Sequence, residues 1–203
     1  MKCPSLDLMS EDGEIMPARA PGVSQYGSVD PAPPQPDGTF LEWQTTLMDE
    51  AAPMFQRMRT VFSFRNHGSD QACLALCAAF VTSSALLRHE LAYVLGQMQN
   101  PAALPTLIER LADEHEHIMV RHEAAEAMGA IGDPSAKPIL EAHLNDPHPE
   151  VSESCEVALD LLEWCESPQW EKTTWYYERG SSSKTQPPSQ ELRGAQCHTI
   201  TSP

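Results

Sequence analysis

Leu87-Arg88-His89-Glu90-Leu91-Ala92 recurs further along the chain as the closely similar stretch Val120-Arg121-His122-Glu123-Ala124-Ala125, at an offset of 33. The correspondence continues without a gap as far as Leu111 and Leu144, and every glycine and proline of the first copy is matched in the second. Each copy combines the apolar period of a helix, an Asn-Pro or Asp-Pro turn and a second apolar stripe. The stretch therefore predicts a repeating unit of two helices.

Weaker copies of this unit lie on both sides. Arg57-Met58-Arg59 matches Arg88-His89-Glu90 at an offset of 31, and the stretch at 151–159 matches that at 120–128 at the same offset. Four units result, at about 41–80, 81–111, 112–144 and 145–165, the last without a complete second helix. No segment alternates with the period of a strand. We therefore predict an all-α, HEAT-like helical-repeat solenoid of about four helix-pair units.

Composition divides the chain into three regions. The long apolar runs fall between Phe40 and Trp164, the stretch from Met1 to Gly38 is rich in proline and glycine, and the last part of the chain is rich in serine, glutamine and proline. Such polar or proline-rich segments bury too little apolar surface to form a core. We expect a disordered, proline-rich lead-in and linker over 1–38, a HEAT-repeat domain over 39–166 and a disordered tail over 167–203.

Charge and cysteine content restrict the partners and the compartment. The formal charge of −16, from 13 basic and 29 acidic side chains, argues against nucleic acid and favours a cationic partner. No apolar stretch reaches the roughly 20 residues that span a bilayer, and no signal peptide is recognisable. The six cysteines include no CxxC pair, and Cys73 and Cys77 lie one helical turn apart. Buried, reduced thiols and a cytoplasmic location are the resulting predictions.

The repeated His-Glu pair is the candidate for chemistry. Stacked helices lie about 8 to 10 Å apart, so His89, Glu90, His122 and Glu123 can reach a common ion. Imidazole and carboxylate suit non-haem ferrous iron, and zinc could take the same ligands. A single His-Glu is often an exposed polar pair, and duplication can copy one without any use, so the residues alone leave metal binding open. The acidic run at 113–117 is interpreted as a solvated charged turn between units.

Longer stretches carry a resemblance to a known family. The stretches at 84–99 (Ser84 to Gln99) and 119–132 (Met119 to Gly132) resemble deoxyhypusine hydroxylase, and so do residues 153–160 and the lead-in at 28–34. The resemblance covers about residues 28–166. It implies a HEAT-repeat di-iron monooxygenase, an oxidoreductase that converts the deoxyhypusine side chain of translation initiation factor 5A to hypusine.

The resemblance also implies roles for individual residues. His89, His122 and Glu123 match Fe(II) ligands of the family, whereas Glu90 matches a carboxylate that holds the substrate amine first and contacts metal second. The resemblance assigns these residues to metal and substrate binding and assigns no catalytic residue. The expected partner is the deoxyhypusine-containing factor, whose amine an acidic groove would attract, with no nucleic acid and no membrane.

One departure from the family pattern leaves three interpretations open. The family has two halves with two His-Glu motifs each, whereas this chain resembles only the linker and the second half. The chain is then an oxygenase with half of the di-iron ligand set. Alone it would have an incomplete or single-iron site, with one iron or none, which a homodimer could restore to the full set. Alternatively it is a noncatalytic HEAT-repeat module that binds a basic protein, or a misjoined or truncated product in which residues 1–27 are not a natural start.

Overall fold

The structure is a computed structural model that describes residues 30–35 and 37–167. Contacts divide the chain into two units, Met1–Pro31 and Ala32–Pro203, and every described helix belongs to the second unit. Most of the predicted lead-in and nearly all of the predicted tail fall outside the described residues, so the expectation of disorder there stays a prediction.

Eight α-helices make up most of the described part. They are α1 (Phe40–Met48), α2 (Met54–His67), α3 (Asp70–Ala78), α4 (Ala85–Met98), α5 (Leu104–Ala112), α6 (Ile118–Ile131), α7 (Lys137–Ala142) and α8 (Pro149–Glu166). Three short 3-10 turns, Ala79–Val81, Pro101–Ala103 and Pro134–Ala136, connect them. No strand occurs among these residues, and none of the described helices is both long and apolar enough to cross a bilayer.

The helices repeat at the offsets seen in the sequence. Helices α2, α4, α6 and α8 begin at Met54, Ala85, Ile118 and Pro149, so their starts follow the spacing of the four sequence copies. These helices stack in order, α2 on α4, α4 on α6 and α6 on α8, while α5 packs on α6 and α7 on α8. The predicted all-α, HEAT-like solenoid is confirmed.

The first unit contains one helix more than the pair predicted for residues 41–80. The Thr39 hydroxyl accepts the amide hydrogen of Glu42, and the Glu42 carboxylate accepts the amide hydrogen of Thr39 at 2.7 Å. This reciprocal capping box begins α1. Because Pro53 stands directly before α2, the chain forms two separate helices here, followed by α3.

The predicted turns are present. Asn100 Oδ1 accepts the amide hydrogen of Ala102 at 2.9 Å, and Asp133 Oδ1 accepts that of Ser135 at 2.8 Å. The proline after each capping residue begins a 3-10 turn, since its lack of an N–H costs nothing at a helix start. The first and second helices of each inner unit are therefore joined as the sequence indicated.

Gly96 and Gly129 lie near the ends of two stacked helices. Both helices continue beyond them, α4 to Met98 and α6 to Ile131. A Cβ at Gly96 would lie 3.0 Å from Ala127 Cα, and one at Gly129 would lie 2.9 Å from Ala158 Cα. The two glycines thus allow α4 to approach α6, and α6 to approach α8, backbone against backbone.

An arginine in each of three stacked helices fastens it to the structure before it. The guanidinium groups donate to main-chain carbonyls: Arg57 to Leu47 at 3.0 Å, Arg88 to Thr82 at 2.7 Å and Arg121 to Leu111 at 3.0 Å. Each also meets a carboxylate, that of Glu50, Glu116 and Asp146 respectively. The arginine of Arg-His-Glu is therefore structural, because it satisfies carbonyls at the end of the preceding segment.

The core is continuous from α1 to α8. The four described cysteines form no disulfide; Cys73 and Cys155 are buried, while Cys77 and Cys165 are partly exposed. Burial raises the pKa of the Cys155 thiol to about 11. The predicted burial is therefore confirmed for Cys73 and Cys155 and is incomplete for Cys77 and Cys165, whereas Cys3 and Cys197 lie outside the described residues.

Candidate metal centre

His89 and His122 occupy the same place in neighbouring helices. Each is the fifth residue of its helix, α4 or α6, and therefore projects from the first turns. Because α4 packs directly on α6, the two imidazole rings come together, with their centroids 5.7 Å apart and their planes inclined by 42°. The helix register thus converts two distant sequence positions into one pair of nitrogen donors.

Glu123 completes a cluster of three donors. One ligand atom each from His89, His122 and Glu123 lies within 4.8 Å of the other two. His89 Nε2 and Glu123 Oε2 are 3.2 Å apart. Two ligands that each lie about 2.1 Å from one ion at a right angle are separated by roughly 3 Å, so this spacing matches one edge of a coordination shell as well as a hydrogen bond.

The cluster is partly shielded from water. The side chains of His89 and His122 are 22% and 24% exposed, and that of Glu123 is 9% exposed. The hydrogen bond to Glu123 raises the pKa of His89 above its ordinary value of 6.5, although burial opposes this effect, and the negative charges of Glu123, Glu90 and Glu126 raise the pKa further. A cation is therefore electrostatically favoured at this position.

The contact with Glu123 holds the His89 ring through Nε2. Within the described part of the chain, His89 Nδ1 is buried and has no hydrogen-bond partner. An unsatisfied buried polar atom costs roughly 1 to 3 kcal/mol, so no hydrogen bond of Nδ1 accounts for the buried position of the ring. Two imidazoles and one carboxylate that converge on one point form a donor set that fits a divalent transition metal.

Glu90 lies beside this cluster but is not among its three donors. It follows His89 on α4, is 9% exposed, and contributes to the raised pKa of His89 through its charge. Of the four residues singled out by the sequence, the structure brings together His89, His122 and Glu123. The assignment of Glu90 to the substrate amine, with metal contact second, stays a prediction.

The charged turn at 113–117 is not wholly solvated. The Glu116 carboxyl is 3% exposed. It accepts hydrogen bonds from Arg88 Nε at 2.9 Å and from Arg88 Nη2 at 2.7 Å, and Arg110 Nη1 lies 3.6 Å away. The interpretation as a purely solvated turn is wrong for this residue, because two guanidinium groups draw the carboxylate inward.

Two further residues near the cluster were missed. Glu126 Oε1 lies 3.5 Å from His122 Nδ1, and the same oxygen accepts the hydroxyl hydrogen of Ser154, on α8, at 3.0 Å. Glu126 stands one helical turn after His122, so helical spacing could have indicated it. No local sequence signal points to Ser154, whose contact depends on how α6 and α8 pack.

These residues border a groove between α6 and α8. Its volume is about 560 Å³, and its lining includes imidazoles, carboxylates and apolar side chains. The lining residues are His117, Ile118, Met119, His122, Glu126, Glu150, Glu153, Ser154 and Val157. Of the three donors, His122 lines this groove, whose surface is acidic and partly apolar.

Comparisons with known proteins agree with this architecture. A family profile described as HEAT repeats matches residues 67–160. Deoxyhypusine hydroxylase of Gallus gallus is 47% identical over 166 residues, which are 82% of this chain and 54% of that protein. The enzyme of Saccharomyces cerevisiae is 49% identical over 144 residues, covering 70% of this chain and 44% of the relative.

A solved structure shows the same relation in three dimensions. The structure of human deoxyhypusine hydroxylase in complex with glycerol superposes on this chain with a TM-score of 0.68 at 49% identity. The matched region covers 71% of this chain and 50% of the human chain. The chain spans about half the length of the curated relatives it matches. The chain is therefore a homologue of the deoxyhypusine hydroxylases and corresponds to about half of the length of those proteins.

Proposed function

We propose that this chain supplies an iron site for the dioxygen-dependent hydroxylation of a deoxyhypusine side chain to hypusine, as a deoxyhypusine monooxygenase. The observation that carries the proposal is the convergence of His89, His122 and Glu123 in a homologue of proteins that are named deoxyhypusine hydroxylase. Two imidazoles and a carboxylate are the ligands with which non-haem Fe(II) oxygenases leave positions open for substrates.

His89, His122 and Glu123 would hold the metal, and bound Fe(II) would supply the oxygen-activating redox chemistry. The chain's own contribution is positioning and charge. Glu123 on α6 reaches His89 on α4 at 3.2 Å, so it sets the spacing of two donors. The low exposure of its carboxylate limits access of water. The family's second iron would need ligands beyond these three, so one iron is the stoichiometry proposed for this chain alone.

The proposed substrate is the deoxyhypusine-containing translation initiation factor 5A. A deoxyhypusine side chain carries amine charge along an aliphatic stem, which suits an acidic surface with apolar patches. The formal charge of −16 and the carboxylates and apolar side chains of the groove support this. Glu90, buried beside His89, is the proposed partner of the substrate amine. A cytoplasmic location accords with reduced thiols and with a translation factor as substrate.

The test measures metal first and turnover second. The purified full chain is loaded anaerobically with Fe(II), and bound iron is quantified for wild type, His89→Ala, His122→Ala and Glu123→Ala. His115→Ala, an exposed histidine in the preceding turn, is the matched control. We expect loss of iron in the first three variants alone. Hydroxylation is then followed by mass spectrometry of deoxyhypusine-containing factor, and wild-type chain without bound iron would refute the proposal.

A noncatalytic binding module is the second candidate, because the chain spans only about half the length of its relatives. In that case His89→Ala and His122→Ala leave binding of the factor unchanged and iron is absent from the native protein. The solution mass of the iron-loaded chain tests the further proposal that a homodimer completes the ligand set. Concentration-dependent dimerisation together with turnover supports the enzyme, whereas turnover by a strict monomer argues against the dimer.

A further inference from the structure

A carboxylate lies near Nδ1 of His122, and this carboxylate accepts a hydrogen bond from another helix. Glu126 lies one turn after His122 on α6, and its Oε1 is 3.5 Å from His122 Nδ1. Ser154 Oγ donates a hydrogen bond to that same Oε1 at 3.0 Å. Ser154 is 7% exposed, so the hydroxyl that orients Glu126 belongs to the packed interface of α6 and α8.

The repeat register shows what Ser154 replaces. Glu123 is the sixth residue of α6 and Ser154 is the sixth residue of α8. Ser154 therefore occupies on α8 the place that Glu123 occupies on α6. His89 meets the residue at this place on the next helix directly, at 3.2 Å. His122 is linked to its counterpart through Glu126, whose Oε1 lies 3.5 Å from His122 Nδ1 and accepts a hydrogen bond from Ser154.

The two histidines are consequently held in different ways. The residue on α4 that corresponds to Glu126 on α6 is Tyr93, the ninth residue of its helix, which has no carboxylate. Among the described residues, His89 Nδ1 has no hydrogen-bond partner, whereas His122 Nδ1 faces Glu126. Of the two rings, that of His122 is the one with a carboxylate near its Nδ1.

We propose that Glu126, oriented by Ser154, is the positioning residue of His122. Its carboxylate holds the hydrogen on Nδ1, which leaves the Nε2 lone pair directed at the metal position shared with His89 and Glu123. A carboxylate behind a ligating imidazole fixes the tautomer and the ring orientation, and loss of such a partner lowers metal affinity about 10- to 100-fold. This inference rests on the proposed metal site and adds a residue outside its ligand set.

The experiment measures Co(II) affinity of the full chain by anaerobic titration, with the visible absorption of bound Co(II) as the signal. We expect Glu126→Ala to weaken binding about 10- to 100-fold, and Ser154→Ala to weaken it less. Glu126→Gln, which keeps an oxygen for Nδ1–H, should restore much of the affinity. Glu150→Ala, which removes a carboxylate lining the same groove, should bind Co(II) like the wild type.

A second readout separates positioning from a merely structural effect. Ring nitrogen shifts of His122 in the metal-free protein should report a proton on Nδ1 in the wild type and a mixture of the two neutral tautomers in Glu126→Ala. The free energy of unfolding of the metal-free chains should be unchanged. Unaltered Co(II) affinity in Glu126→Ala overturns this inference while leaving the metal site intact. Absence of Co(II) binding by the wild type overturns the metal site, and this inference with it.

Discussion

Substitution of Gly96 by alanine tests whether close helix approach sets the geometry of the donor cluster. The new methyl group would lie 3.0 Å from Ala127 Cα and 3.2 Å from Ala127 Cβ, whereas carbon atoms pack favourably at about 3.5 to 4.0 Å. Because one of these atoms is backbone, α4 and α6 must separate by roughly half an ångström. Gly96 lies two turns after His89 on α4, so the separation reaches the cluster.

The expected magnitudes follow from opposing contributions. Overpacking of this kind costs about 1 to 3 kcal/mol, and alanine in place of glycine inside a helix returns about 1 kcal/mol, so a net loss of about 1 kcal/mol is expected. Misplacement of a site by about 1 Å can cost about a hundredfold. Half of that displacement should therefore weaken Co(II) binding about tenfold.

Urea unfolding of the metal-free chain and Co(II) titration measure the two effects. Gly129→Ala is the comparison variant, since its methyl group would meet Ala158 Cα and Cβ, both at 2.9 Å, and would separate α6 from α8 instead. We expect it to lose at least as much stability and less Co(II) affinity than Gly96→Ala. A Gly96→Ala chain that is about 1 kcal/mol more stable, with unchanged Co(II) binding, would refute the reasoning.

Three further predictions concern ionisable groups. Asp146→Asn should lower the free energy of unfolding by about 3 kcal/mol, measured in urea, because it leaves the guanidinium of Arg121, 3% exposed, without its anion. Burial alone would raise the pKa of Asp146, but hydrogen bonds from Arg121 and the His148 amide keep it below the ordinary 3.8. The Asp146–Arg121 ion pair should therefore contribute its full stabilisation above about pH 4. This stabilisation should disappear as the pH falls through the folded-state pKa of Asp146, in the wild type but not in Asp146→Asn. Glu123 raises the pKa of His89, so an NMR titration should find a lower His89 pKa in Glu123→Gln. The contact between protonated His89 and Glu123 should stabilise the metal-free chain fully below pH 6.5, and this stabilisation should be lost as the pH rises through the folded-state pKa of His89.

Much of the fold was predictable because the apolar period and the turn chemistry are local. The repeat offsets located the starts of α2, α4, α6 and α8, and Asn100 and Asp133 marked the turns of the two inner units. Helix α1 was missed as a separate element because the repeat predicted a single helix pair over 41–80, although Thr39 and Glu42 have the spacing of a capping box.

The donor cluster was predictable in part for a related reason. Register alone brings His89, His122 and Glu123 together, because stacked helices share one spacing. The burial of Glu116 and the contact of Ser154 with Glu126 depend instead on side chains that reach across loops and helix interfaces. Such contacts depend on tertiary packing, which a single helix period does not contain.

The fastening arginines have a consequence for how this scaffold can vary. Arg57 on α2 makes the same kind of main-chain hydrogen bond as Arg121, although the residues that follow it are Met58 and Arg59. Anchorage of a helix is thus independent of whether histidine and glutamate come next. The presence of the His-Glu pair and the ability of a repeat to fold are separable in this architecture, so repeats with and without the pair can coexist within one continuous stack.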